Sequence, residues 1–98
     1  MTINKTASGP QLTIALEGRL DTTTAPELEQ VLKESLSGVS ELVFDFEKLE
    51  YISSAGLRVL LSAQKTMNAQ GTMTLRNACE IILEIFEVTG FSDILTIE

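Results

Sequence analysis

Three stretches of this chain place apolar residues at helical spacing, and a short run with strand character precedes each of them. No other feature limits the possible folds as strongly. Strands that alternate with helices pair in parallel, through right-handed crossover connections. At 98 residues the chain holds one domain around one core, and it shows no internal repeat, linker or low-complexity tract.

Taken in order, Thr2 to Thr6 is a weak first strand and Ser8-Gly9-Pro10 has turn chemistry. Gln11 to Glu17 alternates, with Leu12, Ile14 and Leu16 on one face, so the two strands form an antiparallel hairpin. A helix is expected next. Thr24 and Glu27 have capping-box spacing, Pro26 sits in the first turn, and Leu28, Val31, Leu32 and Leu36 recur at helical intervals up to Gly38. Glu41 to Phe46 is mostly apolar, as buried parallel strands are, and Glu47 to Ser54 is expected to be a loop.

A second helix is predicted from Ala55 to Gln70, with Leu57, Leu60, Leu61 and Met67 inward and Gly71 as its stop. Thr72 to Arg76 is a strand. Asn77 and Glu80 repeat the cap spacing before a third helix to Val88, with Ile81, Ile82, Ile85 and Phe86 inward and Gly90 at its end. Asp93 to Ile97 has the pattern of a short last strand. The expected class is a single α/β domain over residues 1–98: an N-terminal β-hairpin leading into a mixed, mostly parallel sheet with crossover helices, in the order β-β-α-β-α-β-α-β.

Composition removes several functions. Seven Lys and Arg against 14 Asp and Glu give a net charge of -7, which opposes nucleic acid and anionic membrane surfaces. With no His, imidazole proton shuttles, Ser-His-Asp triads and His-based zinc sites are excluded. There is no Gly-x-Ser-x-Gly elbow and no phosphate-binding Gly-x4-Gly-Lys loop, so neither a serine hydrolase nor a nucleotide-binding enzyme is expected. No cofactor or metal is called for. A lone Cys79 cannot form an internal disulfide, and there is neither a long apolar run nor a secretory pattern, so a soluble cytoplasmic protein is expected.

In parallel crossover units, functional groups gather beyond the carboxyl ends of the strands. Gly18-Arg19-Leu20-Asp21 leaves one strand there, and Ser53-Ser54-Ala55-Gly56-Leu57 follows the next. If those strands are parallel, Asp21 and the two serines share a rim. One serine suffices as helix cap. The other then sits exposed over a helix start whose partial positive charge and free N–H groups suit a phosphate.

These residues resemble a known family. Gly18 through Leu28 is similar to the G-x-L-D-x-x-x-A-P-x-L stretch of STAS domains, and Val43 through Leu60 resembles their strand–loop–helix signature. The free-standing members, bacterial anti-sigma factor antagonists, are the nearest in form. The resemblance implies a protein that, unphosphorylated, binds an anti-sigma factor with serine kinase activity and so frees a sigma factor. Phosphorylation of a serine at the start of the second helix breaks that complex, and a PP2C-type phosphatase resets it. Carried over by position, the acceptor is Ser54, and the partner-binding surface comprises Asp21, Thr22, Ser53, Ser54, Gly56, Leu57 and Arg58. The family usually has Asp where this chain has Ser53. That change leaves two outcomes open, weaker kinase engagement or a shift of the modified position to Ser53.

The alternative is a STAS interaction module that does not switch, serving as a subunit or scaffold in a transporter or stress complex. Other residues have simpler readings. Asp45 is expected to hold the loop after its strand, Arg58 to be a solvated helix arginine, Cys79 to be a small buried filler, and Met67 and Met73 to be core. Gly56 serves either close helix–strand packing or close approach of a partner. Glu80, Glu84 and Glu87 read as a solvated helix face.

Overall fold

The computed structural model describes all residues from Met1 to Glu98. β1 (Thr2–Ser8) and β2 (Gln11–Leu20) form the antiparallel hairpin, with Ser8 opposite Gln11 across a two-residue turn in which Gly9 has φ +60°. α1 (Ala25–Ser35), β3 (Glu41–Ile52), α2 (Ser54–Gln70), β4 (Thr72–Arg76) and α3 (Glu80–Thr89) follow. The sheet order is β1-β2-β3-β4, and β3 runs parallel to both β2 and β4.

Pleating sorts the strand side chains between the two faces. Leu12, Ile14 and Leu16 of β2, Leu42, Phe44 and Phe46 of β3, and Met73 and Leu75 of β4 are buried beneath the helices. Leu28 and Leu32 of α1, Leu57, Leu60 and Met67 of α2, and Ile82 and Phe86 of α3 complete this core. On the opposite face of the sheet, Gln11, Thr13, Ala15, Glu17 and Thr74 are half-buried and Val43, between Thr13 and Thr74, is buried. Gly71 ends α2 for want of space: a Cβ there would overlap the carbonyl of Ser40, which accepts from the Thr72 N–H at 2.9 Å.

Several expectations change. β3 does not stop at Phe46 but continues to Ile52, and β2 extends to Leu20. The pairing with β2 slips twice, once between Ala15 and Glu17 and once between Gly18 and Arg19. Each slip inserts one residue into β3, so its buried Phe46, Leu49 and Ile52 fall three apart, matching neither strand nor helix period. Gly18, at φ +102°, takes up the second irregularity.

Thr24 occupies the α1 cap position, but its side chain makes no cap hydrogen bond. Its hydroxyl donates instead to the Arg19 carbonyl at 2.8 Å and accepts from the Asp21 N–H at 2.8 Å. The cap position of α3 is held by Cys79, not Asn77, and Cys79 is exposed rather than a buried filler. Asn77 has φ +61°, and its amide reaches back to Asp45 Oδ1 at 3.1 Å. Asp45 Oδ1 also accepts from the Glu47 N–H at 3.0 Å, so this carboxylate holds the first irregularity of β3.

Ile82 and Phe86 are buried as expected, but Ile81 is exposed and Ile85 only partly covered. The last strand shortens to a single parallel bridge between Ile97 and Leu75, after a 3-10 turn at Phe91–Asp93. Gly90, in the left-handed region at φ +82°, turns the chain into that bend.

Candidate functional site

The site is built where β2 and β3 end together. Leu20 pairs in register with Ile52, and the Ser53 N–H donates to the Leu20 carbonyl at 2.9 Å. The parallel pairing therefore brings Asp21 and the two serines onto one rim.

Asp21 is held by the turn that leads into α1. Its Oδ1 accepts from the Thr23 hydroxyl at 2.7 Å, the Thr23 N–H at 3.0 Å and the Thr24 N–H at 3.2 Å. The Thr23 hydroxyl holds the carboxyl below the usual carboxylate range; partial burial pushes it up, and the Thr23 and Thr24 N–H groups lower it further. Asp21 thus has one carboxylate oxygen committed to its own turn. Arg19 stands beside it, with Nε 3.9 Å from Asp21 Oδ2 and its guanidinium 4.4 Å from the centre of the Tyr51 ring. Arg19 and Tyr51 are register partners only because of the two slips in β3.

Ser53 and Ser54 divide the two roles. Ser53 is the extended cap residue of α2, half-buried, and its Oγ accepts from the Gly56 N–H at 3.4 Å. Ser54 is the first residue of the helix and is exposed. A helix start leaves the Ser54 and Ala55 N–H groups without intrahelical acceptors, next to the positive end of the helix dipole. Thr22 and Arg58 are exposed and flank a shallow cleft of about 240 Å³ between the starts of α1 and α2, with Ala25 and Pro26 in its wall.

Gly56 and Leu57 lie differently from the other surface residues of the motif, for both are buried. A Cβ on Gly56 would sit 2.7 Å from Leu20 Cγ and 2.9 Å from Ile52 Cγ1. These two residues support the rim from below rather than forming its surface. Nothing local in the sequence singles out Arg19 or Tyr51. Both lie in the matched motifs, but their stacking depends on strand register.

Chemically, the arrangement presents an accessible Ser54 hydroxyl at a helix start. The chain has no His, and Asp21 Oδ1 is already engaged by its own turn. No three His, Cys, Asp or Glu side chains converge on a metal-sized site, and no helix is long and apolar enough to cross a membrane.

A four-stranded mixed sheet with a hydroxyl-bearing helix start at its carboxyl rim defines a small α/β domain. The chain matches the STAS domain over residues 2–98 and belongs to that family. BtrV of Bordetella bronchiseptica, whose name describes an anti-sigma factor antagonist, is 36% identical over 88 residues, covering 88% of this chain and 76% of BtrV. The anti-sigma-B factor antagonist of Bacillus subtilis is 28% identical over 85 residues, covering 86% and 78% of the two chains. Among solved structures, an anti-sigma factor antagonist from Mycobacterium paratuberculosis shares the fold with TM-score 0.88 and 20% identity, over 98% of this chain and 83% of that one. SpoIIAA in its unphosphorylated form gives TM-score 0.78 at 18% identity, over 99% and 87% of the two chains.

Proposed function

We propose that this STAS domain is a cytoplasmic anti-sigma factor antagonist that switches partners through Ser54. Unphosphorylated, it binds an anti-sigma factor that is also a serine kinase and so releases a sigma factor. Phosphorylation of Ser54 ends that binding, and a PP2C-type phosphatase restores it. The function is binding, not catalysis. The observation that carries the reading is the division of labour at the start of α2: Ser53 caps the helix, and the Ser54 hydroxyl is free and exposed.

Further support comes from charge. A phosphate adds roughly -1.5 to -2 charges beside Asp21. The free domain tolerates this at a helix start, whereas a partner covering the rim would have to desolvate the phosphate against a fixed carboxylate. The frame has no need to move.

The test is intact mass and peptide mapping over Tyr51 to Arg58 in protein from native cells, paired with partner-binding assays. Ser54→Asp is expected to weaken partner binding and Ser54→Ala to bind constitutively. If both bind as wild type does, the switch is absent. Phosphate on Ser53 would keep the mechanism and move its residue. A second reading, a non-switching module in a larger assembly, is favoured by Ser53 standing where the family usually has Asp. It predicts that Ser54→Ala leaves binding unchanged and that no phosphate is found.

A further inference from the structure

Every large hydrophobic side chain that the fold leaves exposed lies in one short stretch. Ile81 is 59% exposed, Leu83 40%, Val88 80% and Ile94 49%. The first three are on α3, which enters the core through Ile82 and Phe86. Ile81, Ile85 and Val88 form a separate stripe at i, i+4 and i+7, turned about 110° around the helix from that core face. Thr89 extends the stripe. Its hydroxyl donates to the Ile85 carbonyl at 2.6 Å and the Phe86 carbonyl at 3.3 Å, so it is satisfied within its own helix. With Glu84 these residues line a shallow groove of about 260 Å³.

The charge on this segment has a single sign. From Asn77 to Glu98 there is no Lys or Arg, while Glu80, Glu84, Glu87, Asp93 and Glu98 are all acidic. Glu80, Glu84 and Glu87 make no ion pair, since the ion pairs of the molecule are Arg19–Asp21, Lys33–Glu29 and Arg76–Glu98. The exposed face of α1 is built in the opposite manner. It pairs Lys33 with Glu29 at 3.4 Å and Gln30 with Glu34 at 2.8 Å, as a solvated helix does.

We propose that the Ile81–Ile85–Val88 stripe of α3 is a docking surface for an amphipathic helix of another protein, one whose apolar stripe is flanked by Lys or Arg. The anchor spacing is that of helix-on-helix recognition, and the unpaired glutamates on the same helix select a cationic partner. A second copy of this chain does not fit. It would bring Glu80, Glu84 and Glu87 against their own equivalents, with no cation on either segment and -7 on each chain. An anionic lipid surface meets the same repulsion. The stripe shares no residue with the rim around Ser54, so docking here is independent of the phosphorylation state.

The test uses the intact protein and a short fluorescein-labelled Leu/Lys helix with one apolar stripe, read by fluorescence anisotropy. Amide shift mapping locates the contact. Saturable one-to-one binding with shifts centred on residues 80–89 is expected. Ile81→Ser with Val88→Ser should weaken it roughly tenfold or more, and a Ser/Lys peptide of equal charge should bind weaker by a similar factor. Glu84→Lys with Glu87→Lys should weaken binding several-fold, and Ser54→Asp should leave it unchanged. Circular dichroism checks that these surface variants remain folded. Equal affinity for the Ser/Lys peptide, shifts centred elsewhere, or indifference to Ile81→Ser with Val88→Ser would overturn the proposal. So would a wild-type dimer in sedimentation that these two substitutions return to monomer, which would assign the stripe to a second copy.

Discussion

Replacing Gly56 by Ala separates two explanations of the glycine, tight packing and close approach of a partner. The added Cβ would meet Leu20 Cγ at 2.7 Å, Ile52 Cγ1 at 2.9 Å and Leu20 Cδ2 at 3.0 Å. Leu20 is 0% exposed and Ile52 1%, so neither side chain has free space to enter. Overpacking of this kind costs about 1–3 kcal/mol. Alanine recovers up to about 1 kcal/mol of helix propensity, and less in a first turn. The net expectation is a loss of about 1–2 kcal/mol, or a melting temperature about 5–12 °C lower for a domain of this size. Urea unfolding followed by far-UV circular dichroism should show a lower midpoint with an unchanged slope. A double-mutant cycle sharpens the test. Leu20→Ala removes two of the three close contacts at its own cavity cost of about 2–5 kcal/mol. The double variant should therefore be about 1 kcal/mol more stable than the sum of the two single losses. A Gly56→Ala protein as stable as wild type would refute the packing argument. If that protein also lost partner binding, the glycine would belong to the interface.

Four other outcomes follow from contacts elsewhere in the structure. Ser53→Ala removes a long cap bond and should cost about 0.5–1 kcal/mol in urea unfolding, whereas Ser53→Asp keeps a capping oxygen and should match wild type. Asp45→Ala frees both the Glu47 N–H and the Asn77 amide, for a loss of about 1–2 kcal/mol by the same assay. Asn77→Gly should cost less than Asn77→Ala, because glycine accepts φ +61° without strain. Asp21 has its folded pKa lowered, so the stability it contributes is present above the unfolded aspartate pKa of about 3.9 and is lost as pH falls through the folded value. A carboxyl-carbon NMR titration should place its midpoint below that of an unfolded aspartate, and Asp21→Asn should flatten the acid limb of the stability curve.

Much of the candidate site is legible in the sequence, because its signals are local. A serine pair before a helical run, with a glycine two residues after it, states that one hydroxyl caps and one is spare. The pairing of Asp21 with that serine pair needed only the assumption of parallel strands, which the alternation of strand and helix supplies. What stayed hidden depends on register. The three-residue spacing of Phe46, Leu49 and Ile52 looks like a loop until β2 lies beside it and the two slips account for the extra residues. Arg19 and Tyr51 meet for the same reason, and Thr24 gives up its capping bond for the Arg19 carbonyl because the turn brings that carbonyl within reach.

The third helix shows the limit most clearly. Ile81, Ile82, Ile85 and Phe86 are equally apolar, and the helical period admits all four to one inner face. Only the face that α3 turns toward the core selects Ile82 and Phe86 and leaves Ile81 and Val88 in water. The sequence by itself determined the order of elements through the third helix, the parallel crossovers, the absence of imidazole chemistry and the candidate serine. Those properties follow from residue type and from spacing along the chain. The tertiary structure decided strand register, the place of Gly56 beneath the rim and the exposed stripe of α3. Those follow from contacts between residues far apart in the chain, which no local period encodes.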